Sequence, residues 1–245
     1  IKAPVDVVFC GSDYRGTGRY EELYRCPVVY FDRDDCPVSS SDIRRDPFAH
    51  WDYIPQICRP WYVKKILFIG GESTGKSTLA RNLALHYNTN FLEEIGREIC
   101  DRAGAEEQMV AADFYEILLR QKLREQELLA HSNRLLFVDT DALTTKFYVR
   151  FLLTDKAELH TAERLADAIA GLHDFDLIFF LEPTVAFVQD GTRNVRIEAE
   201  REKYSRQIKQ IFDEARLMYH CLSGDYLERF NEARHIIDNR YGLKE

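Results

Sequence analysis

The sequence predicts an α/β protein: a parallel five-stranded sheet with helices on both faces, preceded by a smaller α/β segment of different texture. Three observations predict it. From residue 62 onward, short apolar runs alternate with helical segments of roughly 10–25 residues, the signature of βαβ units. The first of those runs leads straight into a glycine-rich turn and then an amphipathic helix. Residues 1–60 instead carry many turn residues and only two strand candidates, a poor core by themselves.

The elements follow in order. Val5–Cys10 and Val28–Phe31 read as strands among turns rich in Pro, Ser and Asp. Residues 50–61, with Trp51, Tyr53, Pro55, Pro60 and Trp61, read as a packed connector. Val63–Ile69 is an apolar strand. Residues 76–87 place Leu79, Leu83 and Tyr87 at helical spacing. Asn90–Glu93 is a short strand. Residues 110–131 form a long helix with Phe114, Leu118, Leu119 and Leu123 on one side. Leu135–Val138 is a strand ended by Asp139, and helices follow over 142–153 and 156–172. Asp176–Leu181 is a strand closed by Glu182-Pro183. A helix over 198–218 shows Tyr204, Ile208, Ile211, Phe212 and Ala215 on one face. Tyr219–Leu222 is the last strand, and the final helix carries Leu227, Phe230, Ile237 and Tyr241.

Composition narrows the function classes. The 245 residues allow one full domain and a smaller piece. With 45% hydrophobic and 30% charged residues, the chain is globular rather than disordered. Its 33 basic and 41 acidic residues give a net charge of −8, which opposes a protein whose main task is gripping nucleic acid. No 18-residue apolar run is present, so no spanning helix is expected. Cys10, Cys26, Cys36, Cys58, Cys100 and Cys221 show neither CxxC pairs nor zinc spacing and read as reduced thiols of a cytoplasmic protein. The chain starts at Ile1 without a signal-peptide pattern and enters a strand almost at once, so the expectation is the tail of a longer protein.

The chemistry lies where βαβ sheets put it, at the carboxyl ends of the strands. Gly70-Gly71-Glu72-Ser73-Thr74-Gly75-Lys76-Ser77 matches G-x4-G-K-[ST] in the strand–turn–helix context that the match requires. Glycines let successive N–H groups turn inward as an anion nest, and the helix N-terminus adds its dipole. Lys76 then reaches the β- and γ-phosphates of ATP, and the Ser77 hydroxyl reaches Mg2+; Thr78 completes the segment. This is a P-loop of the NTPase type.

Asp139 ends its strand facing that turn and is assigned to the metal. Asp141, two residues on, is either a second carboxylate or a helix N-cap. Glu94 and Arg97, after the second strand of the sheet, are the candidates for orienting or deprotonating an acceptor hydroxyl and for holding it. The loop 189–196 carries Gly191, Arg193 and Arg196, a flexible segment able to close over nucleotide and stabilise the transferring phosphoryl group. No N-K-x-D tetrad follows a late strand, which weakens a GTPase switch. A phosphotransferase reading is preferred over a nucleotide-dependent regulator.

The ordered set of Gly70–Thr78, Glu94-x-x-Arg97-Glu98, Val138-Asp139-Thr140-Asp141, Asp190-Gly191-Thr192-Arg193 and Tyr219-His220-x-Leu222-Ser223-Gly224-Asp225-Tyr226-x-x-Arg229 resembles the ribosylnicotinamide kinase domain of the bifunctional NadR family of NAD biosynthesis. The resemblance runs through about 62–245, and the domain is drawn as 61–245. It implies transfer of phosphate from ATP to the 5′-hydroxyl of nicotinamide riboside, giving nicotinamide mononucleotide (NMN), with Mg2+ and in the cytoplasm. NAD or NMN are further possible ligands, a homo-oligomer is compatible with it, and Ser223–Asp225 would lie near adenine. Residues 1–60 resemble the closing part of an NMN adenylyltransferase domain. In that family an I-S-x-T-x-I-R turn holds ATP phosphates, and Ser39, Ser41 and Arg44 match it, with Ser41 in place of Thr. Gly11, Ser12 and Asp13 belong to the same resemblance. The G-x-x-x-P-x-H-x-x-H region with that family's catalytic histidines has no counterpart, since His50 is the only histidine before position 86. Adenylyltransferase activity is therefore expected only from a longer parent chain.

Overall fold

The computed structural model describes residues 4–32, 34–35, 37–172, 174–188 and 199–243. The chain divides into two compact units, Ile1–Pro55 and Gln56–Glu245. The boundary falls before residue 56 rather than after residue 60. The 3-10 helix Gln56–Trp61 runs directly into the next strand, with Arg59 O accepting from Tyr62 N and Val63 N at 2.9 and 3.2 Å.

In the smaller unit, β1 (Val8–Gly11) and β2 (Val28–Phe31) pair in parallel, Val8 opposite Val28. The first strand starts later than its apolar run. Val8 N donates to Pro27 O at 3.0 Å, and Pro27 has no N–H with which to extend the ladder. Helices α1 (Arg19–Tyr24) and α2 (Ser40–Arg45) accompany the pair. Phe48 and Trp51 are buried and meet edge to face.

The larger unit is built on β3 (Lys64–Ile69), β4 (Asn90–Leu92), β5 (Leu135–Asp139), β6 (Leu177–Leu181) and β7 (His220–Leu222). All pair in parallel, in the spatial order β4-β5-β3-β6-β7. Central β3, β5 and β6 carry unbroken apolar runs, Ile66–Ile69, Leu135–Val138 and Leu177–Leu181, because both faces are covered. Phe68 on β3 stacks on Phe179 at 5.5 Å and leans on Phe137 at 6.0 Å, which ties the three strands together.

The helices are α3 (Lys76–His86), α4 (Ile95–Ala103), α5 (Ala111–Leu129), α6 (Ala142–Leu152), α7 (Lys156–Ala170), α8 (Arg201–Glu214) and α9 (Tyr226–Tyr241). The chain steps from β3 to the β4 edge and then reverses direction through β5, β6 and β7. Right-handed crossovers therefore put α3 on one face and the helices from α4 to α8 on the other. The final helix α9 packs beside α3.

Two elements differ from their sequence patterns. Residues 95–103 form a helix where the sequence shows only a charged turn; Ile99 and Cys100 on its inner side are buried. In α5 the buried stripe is Ala111, Phe114, Ile117, Leu118 and Glu125, whereas Leu119 and Leu123 are exposed. The helix turns Glu125 inward because Lys65 of β3 waits there, 2.9 Å away and equally buried.

Candidate functional site

The P-loop turn leaves the end of the central strand and enters α3. Two of its glycines are obligatory. Gly70 has φ +142°, and a side chain there would meet Leu181 O at 2.7 Å. Gly75 has φ +87°, and its Cβ would meet the Tyr226 ring at 2.8 Å. Ser73 also sits in the left-handed region, at φ 56°. Inside the turn, Gly71 O accepts from Thr74 Oγ1 at 2.8 Å and from Lys76 Nζ at 2.9 Å. The Lys76 ammonium is thus carried across the mouth of the turn, with little of the side chain exposed.

Parallel pairing sets Asp139 opposite Phe68, one residue short of the turn. Asp139 is fully buried, and its Oδ2 accepts from Ser77 Oγ at 2.5 Å. Its Oδ1 is buried and accepts no hydrogen bond among the described residues. Burial raises the Asp139 carboxyl to about 6, the nearby Glu94 charge adds to the rise, and Lys76, Ser77 and Arg97 oppose it. A hydroxyl and a carboxylate with a spare buried oxygen suit a hard cation such as Mg2+. Among the described residues no group of three or more His, Cys, Asp or Glu could hold a metal. Phosphate oxygens would have to complete the shell.

Glu94 is the residue before α4 and is half-buried; Arg97 is on the first turn of that helix and exposed. Gln121 of α5 holds this corner together. Its amide donates to Asp139 O and Thr140 O at 3.2 and 3.3 Å, and its carbonyl accepts from Ile95 N at 3.3 Å. Glu94 therefore faces Asp139 across one cleft. Asp141 resolves as a helix cap, accepting from Thr144 N and Thr144 Oγ1 at 3.0 Å each.

The cleft has a volume of about 680 Å³ and is lined by Glu72, Ser73, Thr74, Gly75, Lys76, Ser77, Thr78, Glu94, Arg97 and Asp139, together with apolar Met109, Phe114 and Ile117. Tyr148 lines it as well, donating to Glu72 Oε1 at 3.4 Å. Burial, then the charges of Glu72, Glu94 and Glu106, push its phenol well above the ordinary value. This end of the cleft is electronegative. Gly70 and Gly71 sit buried behind the turn and are absent from the lining. The assigned residues Arg193 and Arg196 lie outside the described residues. On either side of that segment the chain reaches Ser73: Val188 N donates to its hydroxyl at 2.8 Å, and Arg201 Nη2, in the helix that follows, donates to its carbonyl at 2.9 Å.

In the smaller unit, Gly11 ends β1, and Ser12 and Asp13 open a 3-10 turn. Ser39 caps α2 in a box with Asp42, accepting from Asp42 N at 3.1 Å and donating to Asp42 Oδ2 at 2.6 Å. Arg44 lies 3.5 Å from Ser41 Oγ.

Sequence reasoning missed Gln121, Tyr148 and Arg201, and it carried the buried Arg229 only as part of the family resemblance, with no role of its own. Only Arg229 left a trace: it shares helical spacing with Ala233 and Ile237, a lone cation in an otherwise apolar stripe.

A parallel sheet with this strand order, a G-x4-G-K-S turn at its central strand and a carboxylate on the neighbouring strand define a P-loop nucleotide-binding protein. A family model described as an AAA domain matches residues 65–229, and the chain belongs to that family. It is also similar to the trifunctional NAD biosynthesis/regulator protein NadR of Salmonella typhimurium strain LT2, at 28% identity over 208 residues, 84% of this chain and 49% of that protein. The NadR protein of Escherichia coli K12 gives the same identity and coverage. The chain thus spans about half the length of these relatives. Among solved structures, NadR in complex with NR superposes with a TM-score of 0.79 at 24% identity, covering all of this chain and 71% of that one. Deoxyadenosine kinase from M. mycoides with bound dATP gives 0.54 at 11% identity, covering 71% of this chain and 99% of that one. Among the described residues, no helix is long and apolar enough to cross a membrane.

Proposed function

We propose that the chain is a ribosylnicotinamide kinase of NAD salvage, moving the γ-phosphoryl group of ATP to the 5′-hydroxyl of nicotinamide riboside. The observation that carries this reading is the meeting of Lys76, Ser77, Asp139 and Glu94 in one cleft beside the P-loop. Backbone N–H groups of 71–76 and Lys76 would hold the ATP phosphates, with Gly70 allowing the turn. Ser77 and Asp139 would hold Mg2+, directly or through water. When bound, Mg2+ neutralises charge on the β- and γ-phosphates. Glu94 orients the acceptor hydroxyl and takes its proton, and Arg97 helps to hold the acceptor. Arg193, with Arg196, would cover the γ-phosphate, a role carried over from the sequence.

The acceptor is taken from the family likeness, and the charge of the cleft supports it. Nicotinamide riboside carries a quaternary pyridinium, and the cleft lining includes Glu72 and Glu106, whose charges act on Tyr148, together with Phe114 and Met109. A cation against carboxylates and aromatic faces is favoured there over a neutral base. ADP release with nicotinamide riboside should exceed that with uridine, cytidine or thymidine by more than about tenfold, each tenfold being about 1.4 kcal/mol. Equal rates would move the assignment to a general nucleoside kinase. No acceptor-dependent ADP release would leave a nucleotide-binding regulator.

Glu94→Gln keeps the shape and removes the base. Turnover should fall by about a hundredfold, with acceptor KM nearly unchanged. Full activity in that variant moves the base to Asp139.

The smaller unit is read as the closing part of an NMN adenylyltransferase, with Gly11, Ser12, Asp13, Ser39, Ser41 and Arg44 as its nucleotide contacts. That reading rests on family likeness and on the Ser39 cap, which leaves Ser41 and Arg44 side by side. NMN, the product of the kinase reaction, and NAD are further ligands in this reading, and a cytoplasmic location goes with the ATP-dependent reaction.

A further inference from the structure

Arg229 is one of the largest fully buried side chains in the chain, and it comes from the Gly224-Asp225-Tyr226-x-x-Arg229 segment, which takes no part in the phosphoryl-transfer chemistry above. Three oxygens from two separate segments, the P-loop and the turn after β6, converge on it. Nη1 donates to Thr74 O at 2.5 Å, and Nη2 donates to Glu182 O at 2.8 Å and to Thr184 Oγ1 at 2.5 Å. Thr184 Oγ1 in turn donates to Gly224 O at 2.9 Å, at the turn that starts α9. Asp225 caps that helix and pairs with Glu228 in a capping box, so the position of Arg229 is set from its own first turn. Tyr226, one turn earlier, lies against Gly75.

We infer that Arg229 is a positioning residue for nucleotide: it holds the Thr74 carbonyl from behind the P-loop and so orients the Gly75 N–H toward bound phosphate. A peptide unit is planar, and in the trans form its C=O and N–H point in opposite directions. Securing Thr74 O on a buried guanidinium therefore turns the Gly75 N–H away from the core, to the side on which Gly75 lines the cleft. Arg201 does the same for the preceding peptide through Ser73 O. An anion nest depends on such N–H groups being aimed before the ligand arrives, because reorganising them on binding would weaken it. Arginine suits the task because its planar fork serves three acceptors at once and stays charged when buried.

The inference rests on the P-loop binding ATP, and the experiment separates the two. Wild type, Arg229→Met, Thr184→Val and Thr184→Ser are titrated with Mg-ADP by calorimetry, and the KM values for ATP and acceptor are measured beside the melting temperature. Arg229→Met should weaken Mg-ADP binding and raise the ATP KM more than tenfold, with acceptor KM within twofold. Thr184→Val, which removes one acceptor and keeps the fold, should raise the ATP KM about threefold, and Thr184→Ser should restore it. Unchanged Mg-ADP affinity in Arg229→Met overturns the inference. So does a parallel loss of ATP and acceptor binding that tracks the melting temperature. Should Arg229→Met not fold, Thr184→Val decides, and a wild-type ATP KM in it overturns the inference. Failure of the wild type to bind Mg-ADP would instead remove the P-loop reading itself.

Discussion

Replacing Lys76 with alanine should lower phosphoryl transfer by about a thousandfold, the scale of loss when one preorganised charge is taken from a transition state. The fold should survive. The Lys76 ammonium donates to Gly71 O, and Thr74 Oγ1 holds that same carbonyl without it. The melting temperature is therefore expected to move by only a few degrees. Acceptor-dependent ADP release at saturating ATP reads the effect. A rate within tenfold of wild type would take Lys76 out of the reaction. Lys76→Arg should recover little, because the guanidinium is longer and planar where the turn receives a compact ammonium.

The largest expected effect on stability lies at the other end of the central strand. Lys65 and Glu125 are both only 4% exposed and pair at 2.9 Å. Lys122 also reaches Glu125, at 2.8 Å, and Lys65 pairs with Asp174 as well. Burial pulls the Lys65 ammonium below its usual value, and Glu125 works against that pull. Removing one partner of such a pair strands a buried charge, so Lys65→Met should cost about 3 kcal/mol. Lys122 keeps the loss at the lower end of the usual range. The double variant Lys65→Met with Glu125→Met should recover most of it, since two apolar side chains leave no charge to bury. Urea unfolding of the four proteins measures this cycle. A single variant as stable as wild type would show that the pair contributes nothing.

Much of the site was legible because its chemistry is local. The P-loop needs glycines, a lysine and a hydroxyl within eight consecutive residues, and the strand before it and the helix after it are read from apolar spacing. Asp139 could be assigned because the end of an apolar strand in a parallel sheet faces the ligand side. Asp141 could not be settled that way: cap and metal ligand use the same carboxylate, and only the Thr144 contacts separate them. The helix at 95–103 was hidden by its charges, since Arg97, Glu98, Asp101 and Arg102 outnumber the apolar residues that fix its inner face. Leu119 and Leu123 fit the helical period as well as the true stripe does, and a lysine 60 residues away decided which face turned inward.

The sequence by itself determined the parallel α/β class, the phosphate-binding turn and the strand ends where its partners must lie. These depend on backbone periodicity and on residues close together along the chain. Tertiary structure alone decided what stands behind that turn. Arg229 and Arg201 reach Thr74 and Ser73 from 155 and 128 residues away. Gln121 couples Asp139 and Thr140 to the start of α4 across 26 residues or fewer, but from a different element of the fold. Such contacts exist only once the sheet order has brought α5, α8 and α9 against one strand end, and no spacing in the chain encodes that distance.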